Sequence, residues 1–277
     1  MTIEQIIVLA IVQGITEFLP ISSSGHLILV PAFTGWADQG VITDVMVHVG
    51  SLFAVIVYFW KDVLNLIKGG LDLLRLRMND NSRMALYIIL ATIPAVILGL
   101  LLKKSGVADN LRSVEVIAWN AIIFGVLMYV MDALGARTKR MEDMKLKPAL
   151  VIGFAQALAL IPGTSRSGVT MTAARYLGFE RAEAARFSFL LGIPAIAGAG
   201  AFVTLDFLET GASIPMDAIY AAMLTFFAAL LAIAALMAIV KRTSFLVFVI
   251  YRIALGLLLF AMLYDWIPGL PSLANFG

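Results

Sequence analysis

The sequence predicts an all-α integral membrane protein: six transmembrane helices plus two re-entrant helical hairpins in an inverted-topology repeat. Three observations carry that expectation. Of 277 residues, 61% belong to the set AVILMFWYC and only 14% are charged, where a soluble domain carries about 25% charged residues. Two apolar stretches are broken in mid-course by Pro, Gly and Ser. Those two stretches resemble each other. A soluble domain of this length would expose much of its apolar area to water, so the bilayer is the more favourable solvent. The composition excludes a disordered chain, a nucleic-acid-binding domain and a secreted disulfide scaffold. A net charge of +2 says nothing about a partner. The absence of cysteine excludes thiol catalysis, Cys-ligated zinc, iron–sulfur clusters and disulfides. The start, MTIEQIIVLA, has neither Lys or Arg nor a small-residue cleavage site, and does not read as a removable signal peptide.

Six segments are expected to cross: Val45–Trp60, Ala85–Leu102, Val114–Leu134, Phe187–Leu205, Ala218–Val240 and Ser244–Tyr264. At about 1.5 Å per residue they match a hydrocarbon core of about 30 Å. The broken stretches are Ile3–Leu19, PISSSG, His26–Trp36, and Pro148–Ile161, PGTSRSG, Val169–Leu177. Pieces of about 10 residues reach only half the core. Each stretch therefore reads as a hairpin that enters, turns near mid-depth and leaves by the same face; irregular backbone at that depth must be buried in protein or line a cavity. Charge orients the chain. Lys61, Lys68, Arg75, Arg77, Arg83, the five cations of 135–147, Arg175, Arg181, Arg186, Lys241 and Arg242 fall on one side. Lys103, Lys104 and Arg112 fall on the other, which holds both termini. The rich side is cytoplasmic by the positive-inside rule, so the first hairpin enters from outside and the second from the cytoplasm.

Gln13, Ser22, Ser24 and Gly25 lie 143 residues before Gln156, Ser165, Ser167 and Gly168. The first repeat unit is 1–134 and the second 135–277. A Leu-rich echo between 97–102 and 254–259 carries less weight. Each unit holds one hairpin and three crossings; three is odd, so the units are inverted, and such repeats place their site near the midplane, where the breaks meet.

Each turn starts a helix, whose N-terminus offers free N–H groups and partial positive charge. Two converging N-termini, with Ser22, Ser23, Ser24, Ser165, Ser167 and Thr170 as donors, suit a phosphate. Arg166 adds a planar cation matched to phosphate oxygens. Gly25, Gly163 and Gly168 admit close backbone approach. Ser23 is the repeat counterpart of Arg166, with Glu17 and His26 nearby, so one hairpin supplies nucleophile and acid/base and the other the clamp. Blander readings stand beside these. Glu17 is also a helix end, His26 a helix-start residue bonded to a carbonyl, each Ser a cap, and Arg166 a structural ion pair with Glu17. His48 and Arg252 read as structural pairing or snorkelling. The run 135–147 reads as a solvated loop.

QGITEFLPISSSGH (Gln13–His26) and PGTSRSGVT (Pro162–Thr170) resemble the two signatures of the undecaprenyl-diphosphate phosphatases, the bacitracin-resistance family. The likeness extends through DVMVHVGSLFAVIVYFWKD and FLVFVIYR to nearly the whole chain. It implies a multi-pass enzyme of the bacterial plasma (inner) membrane that removes the terminal phosphate of a C55 polyprenyl diphosphate, regenerating the lipid carrier for peptidoglycan synthesis. The site would open to the outer, periplasmic face. It also implies a divalent cation, Mg²⁺ or Ca²⁺. By the same resemblance Glu17 is the essential acid or metal-linked carboxylate, with Gln13 beside it, and Ser23 and His26 are candidates for nucleophile and partner. Arg166 holds the phosphates, with Ser165, Ser167 and Thr170 as further ligands. Gln at position 13 leaves one carboxylate where the pattern also allows two, so the diphosphate itself would supply most ligands of a Mg²⁺ ion. His26 or water remains an alternative nucleophile. The rival class is a transporter or flippase of an anionic polyprenyl lipid, which the inverted repeat suits equally; the Ser/His/Glu cluster favours chemistry. SSSGH and SR also echo type-2 phosphatidic acid phosphatases, but that group's Lys-x₆-Arg-Pro and His-x₃-Asp blocks are missing.

Overall fold

The computed structural model describes residues 1–106, 111, 113–209, 211, 213–267 and 273; Arg112, counted above for orientation, lies outside the described residues. In the first half, α1 (Ile3–Thr16) and α2 (Ser23–Thr34) form a hairpin. They are followed by α3 (Val41–Tyr58), α4 (Trp60–Leu74), α5 (Asp80–Ser105) and α6 (Val114–Leu134). In the second, α7 (Leu146–Ala157) and α8 (Arg166–Tyr176) form a hairpin, followed by α9 (Arg181–Glu209), α10 (Met216–Arg242) and α11 (Leu246–Leu263). Six of these, α3, α5, α6, α9, α10 and α11, are long and apolar enough to cross a membrane. Each overlaps one expected span. The chain is a multi-pass membrane protein.

Local signals set several ends. Thr2 caps α1: its hydroxyl accepts from the Gln5 N–H at 3.2 Å, and Gln5 accepts from the Thr2 N–H at 2.9 Å. Asn79 caps α5 in the same reciprocal way with Ser82. The stretch 61–83, expected only as a charged connection, contains α4. Its apolar residues Leu64, Ile67, Leu71 and Leu74 recur at helical spacing and stay exposed, the pattern of a helix lying in a membrane interface. Gly69 lets α4 press on the Asn81 carbonyl at the start of α5.

The hairpins are cross-packed. The first helix of each lies on the middle long helix of the other half: α1 on α10, α7 on α5. α3 packs on both α9 and α10, and α6 on α11. The largest buried cluster gathers Phe18, Phe59, Phe187, Phe189 and Phe245. Phe18 and Phe189 meet edge to face at 5.2 Å, directly beside Glu17 in the chain. At the charge-rich end, Arg175 is fully buried instead of sitting in solvent with the other loop cations. Its Nε donates to Asp132 at 2.8 Å, and Arg181 donates to the same carboxylate at 2.8 Å. The Phe245 N–H also donates to Asp132 at 3.2 Å. Three hydrogen-bonded partners satisfy that buried carboxylate and tie the ends of α6, α8, α9 and α11.

Candidate active site

The two hairpin turns share one strained shape. Ser22 has φ 78° and ψ 94°; Ser165 has φ 71° and ψ 111°. Positive φ is unfavourable for a residue with a Cβ, and such strain concentrates at functional sites. Each serine is held by the helix it caps: Ser22 Oγ accepts from the Gly25 N–H at 3.3 Å, Ser165 Oγ from the Gly168 N–H at 3.1 Å. These are the positions that the internal repeat pairs.

The turns meet. Ser167 Oγ donates to the Leu19 carbonyl at 3.0 Å, from one hairpin to the other. Gly163 has φ +87°, and a Cβ there would run into the backbone of Ile117 on α6. Arg252 of α11 lies fully buried between the tips. Its guanidinium donates to Pro20 O at 3.1 Å and Gly163 O at 2.9 Å, one carbonyl from each hairpin. It also donates to Asn120 O and Ala121 O on α6. The structural pairing expected for Arg252 is therefore with carbonyls, and it joins both turns to α6.

At this junction Glu17, buried just past the end of α1, is the hub. Its Oε1 accepts from Arg166 Nη2 at 3.0 Å. Its Oε2 accepts from Ser23 Oγ at 2.6 Å and from Gln13 Nε2 at 3.1 Å. His48 Nε2 stands 3.5 Å from the same oxygen. His48 Nδ1 faces the Asp44 carbonyl at 2.6 Å, which fixes the ring and turns Nε2 to Glu17. Arg166 also donates to Ser188 O at 3.0 Å. Its head lies against Gly192, where a Cβ would collide with it. The ion pair entertained for Arg166 and Glu17 is thus present, and Arg166 Nε has no partner among the described residues.

Glu17, Ser22, Ser23, Ser24, His48, Gln156, Ser165 and Arg166 line one cavity of about 340 Å³. Apart from Asp44, its remaining wall is apolar, with Ala95, Leu160, Ala195, Ile196, Ala199 and Gly200 among its residues. Ala95 and Ala195 follow Pro94 and Pro194, prolines inside α5 and α9 that remove a helical hydrogen bond each. Other sequence candidates are placed differently. His26 is turned away from Ser23: Nδ1 faces Ser22 O at 2.6 Å and Nε2 faces the Tyr251 hydroxyl at 2.6 Å. The Thr170 hydroxyl is buried against Arg166 O at 2.7 Å and Ser188 Oγ at 2.7 Å. Ser167 bridges the hairpins, as above. The Gly163 carbonyl belongs to Arg252. Sequence reading set His48 aside as structural. Its contact with Glu17 joins two helices, so no local spacing reveals it.

Among the described residues no group of three or more His, Cys, Asp or Glu could hold a metal ion. Donors that fit a hard cation are the Glu17 carboxylate and Gln13 Oε1, a buried oxygen without a partner among the described residues; the Asp44 carboxylate, which accepts from Gln39 at 2.7 Å, lines the same cavity. One carboxylate with substrate phosphates is an ordinary Mg²⁺ environment.

Residues 6–258 match the family described as Bacitracin resistance protein BacA. A protein of Erythrobacter litoralis named Undecaprenyl-diphosphatase is 50% identical, the match covering 94% of this chain and 99% of the relative. One of the same name from Roseobacter denitrificans is 48% identical over 96% of this chain and 100% of the relative. A third, from Jannaschia, is 47% identical over 95% and 100%. The chain belongs to the bacitracin resistance protein family.

Proposed function

We propose that this protein is an undecaprenyl-diphosphatase, a membrane hydrolase that cleaves undecaprenyl diphosphate to undecaprenyl phosphate and inorganic phosphate and so recycles the lipid carrier of peptidoglycan synthesis. Near-full-length identity to proteins of that name supports the activity. The observation that carries the chemistry is the Ser23–Glu17–Arg166 chain at 2.6 and 3.0 Å, lining a cavity with an apolar wall.

In the proposed reaction the Ser23 hydroxyl passes its proton to Glu17 and Oγ attacks the terminal phosphorus. The bond from that phosphorus to the bridging oxygen breaks, and the lipid monophosphate leaves. Glu17 gives up that proton to the departing monophosphate or to solvent. Water, deprotonated by the regenerated carboxylate, then attacks the phosphoserine; the bond from phosphorus to Ser23 Oγ breaks, Oγ is reprotonated and phosphate is released. Arg166 and the N-termini of α2 and α8 offset the negative charge of the phosphoryl group. Ser22, Ser24 and Ser165 are proposed phosphate donors. Ser167, Thr170 and His26 and the Gly163 carbonyl support the turns: the two hydroxyls donate to protein carbonyls, the His26 ring is held between Ser22 O and Tyr251, and Gly163 O accepts from Arg252. Glu17 and Gln13 would hold a divalent cation, which supplies Lewis-acid neutralisation of phosphoryl charge when bound. The short, partnered contact of Ser23 with Glu17 favours serine attack over His26, and favours chemistry over transport alone.

The matched turns at Ser22 and Ser165 and the cross-packing of α1 and α7 support units 1–134 and 135–277 as an inverted repeat. They also support reading both hairpins as re-entrant. Charge bias favours both termini on the outer face; the plasma membrane location and a site mouth on that same face are what the family likeness implies. Two measurements test these readings. Purified protein in detergent is expected to release phosphate from a C55 diphosphate and to lose most of that activity in chelator; no release from a folded preparation overturns the function. Tags at either terminus are expected to be cut by an impermeant protease added to spheroplasts; protection of both reverses the orientation.

A further inference from the structure

We propose that Gln156 is a ligand-binding residue of this site, its side-chain amide donating to a phosphoryl oxygen of the diphosphate. The inference rests on the reading of the cavity as a diphosphate site. Gln156 sits in the last turn of α7, is 2% exposed, and lines the cavity with Glu17, Ser23, Ser165 and Arg166. Neither its Nε2 nor its Oε1 meets a hydrogen-bonding group among the described residues. Buried amides are paired in nearly all native structures, because an unpaired one loses its hydration with nothing in return.

The internal repeat explains the missing partner. The counterpart of Gln156 is Gln13, whose Nε2 donates to Glu17 at 3.1 Å and Ser51 Oγ at 3.4 Å. Glu17 lies four residues after Gln13; the residue four after Gln156 is Leu160, an apolar member of the cavity wall. The second hairpin keeps the glutamine and lacks the carboxylate that would occupy it. Among the described residues the other buried side-chain atoms without a hydrogen-bond partner are Arg166 Nε, in the same lining, Thr164 Oγ1 and Gln13 Oε1, which belong to the two hairpins, and Glu183 Oε2. Gln156 Nε2 and Arg166 Nε are nitrogen donors from two residues of the cavity lining, a complement to an anion with several oxygens. Ala159 and Leu160, three and four residues further along the chain, belong to the apolar wall. The amide therefore stands between the charged end and the surface fit for an isoprenoid.

The test is Gln156→Leu, with Gln156→Met as a second variant of similar shape, in the full-length protein in detergent with farnesyl diphosphate as probe. Without the probe, both variants are expected to melt at or above the wild-type temperature, since each removes an unpaired amide. The stabilisation that farnesyl diphosphate confers on the wild type is expected to shrink. KM for phosphate release should rise about tenfold or more, the scale of one hydrogen bond to a charged group, with kcat changed less. A melting temperature several degrees lower in both variants with the probe's stabilisation intact makes Gln156 a packing residue and overturns the proposal. Wild-type KM and wild-type stabilisation in both variants also overturn it, because the amide then bonds only to water. If the wild-type protein neither gains stability nor releases phosphate, the cavity reading itself falls, and this inference with it.

Discussion

Arg166→Ala is expected to lower phosphate release by about 10³-fold or more while the protein still inserts and purifies as a folded species. The scale is that of an arginine acting on a transferring phosphoryl group. Arg166 is fixed before substrate arrives: Nη1 donates to Ser188 O at 3.0 Å, Nη2 to Glu17 at 3.0 Å, and the head lies against Gly192. A cation held in this way needs no reorganisation as charge develops. Glu17 keeps Ser23 and Gln13 as donors after the change, so the nucleophile pair survives and the loss isolates the clamp. Arg166→Lys is expected to recover only part of the activity, because an ammonium cannot hold Ser188, Glu17 and a phosphate in one planar fork. Near-normal turnover in folded Arg166→Ala would leave the residue a structural ion pair and remove it from the mechanism. Phosphate release by stopped assay, with melting temperature as the folding control, decides between them.

Much of this site was readable in the sequence because the information is local. Spans declare themselves by length and composition, and a Pro, Gly and Ser break inside an apolar stretch has few structural solutions in a bilayer. The offset between Gln13, Ser22, Ser24, Gly25 and their counterparts identified the turns that the structure brings into contact. What stayed hidden is what depends on a neighbour distant in sequence. His26 lies one turn from Ser23, which suggests partnership, yet its ring is captured by Tyr251 from α11. His48 reaches Glu17 from α3. Arg252 bonds backbone carbonyls of three segments, and carbonyls carry no signature in a sequence. Thr170 and Ser167 look like phosphate ligands by motif, but within the fold their hydroxyls are bonded to protein. α4 is hidden for another reason: Lys61, Asp62, Lys68 and Asp72 interrupt its apolar run, so it fails as a span although its apolar residues share one face.

Glu17→Gln is expected to cut kcat by about 10²- to 10⁴-fold, the usual contribution of a general base, with a smaller effect on binding of the lipid diphosphate. The substitution keeps the shape and one acceptor oxygen. It cannot take the Ser23 proton, and its new amide hydrogens face donors already aimed at that position, Arg166 Nη2 and Gln13 Nε2. The sign of the pH effect follows from the role. A base must be ionised, so wild-type kcat/KM falls as pH drops and the carboxylate is protonated; the residual activity of Glu17→Gln should lack that acid limb. Ser23→Ala is expected to be similarly inactive. The double variant should be little worse than either single one, since a nucleophile and its base act as a unit and their losses do not add. Ser23→Ala with near-normal turnover would transfer the attack to water, with Glu17 as the base for it. Equal loss of binding and turnover in Glu17→Gln would instead make the carboxylate a structural anchor for Arg166. The binding arm, measured with a non-hydrolysable diphosphate analogue, separates the two: Arg166 released from its carboxylate should hold an anion no less tightly, so binding that survives the loss of turnover points to proton transfer as the function of Glu17.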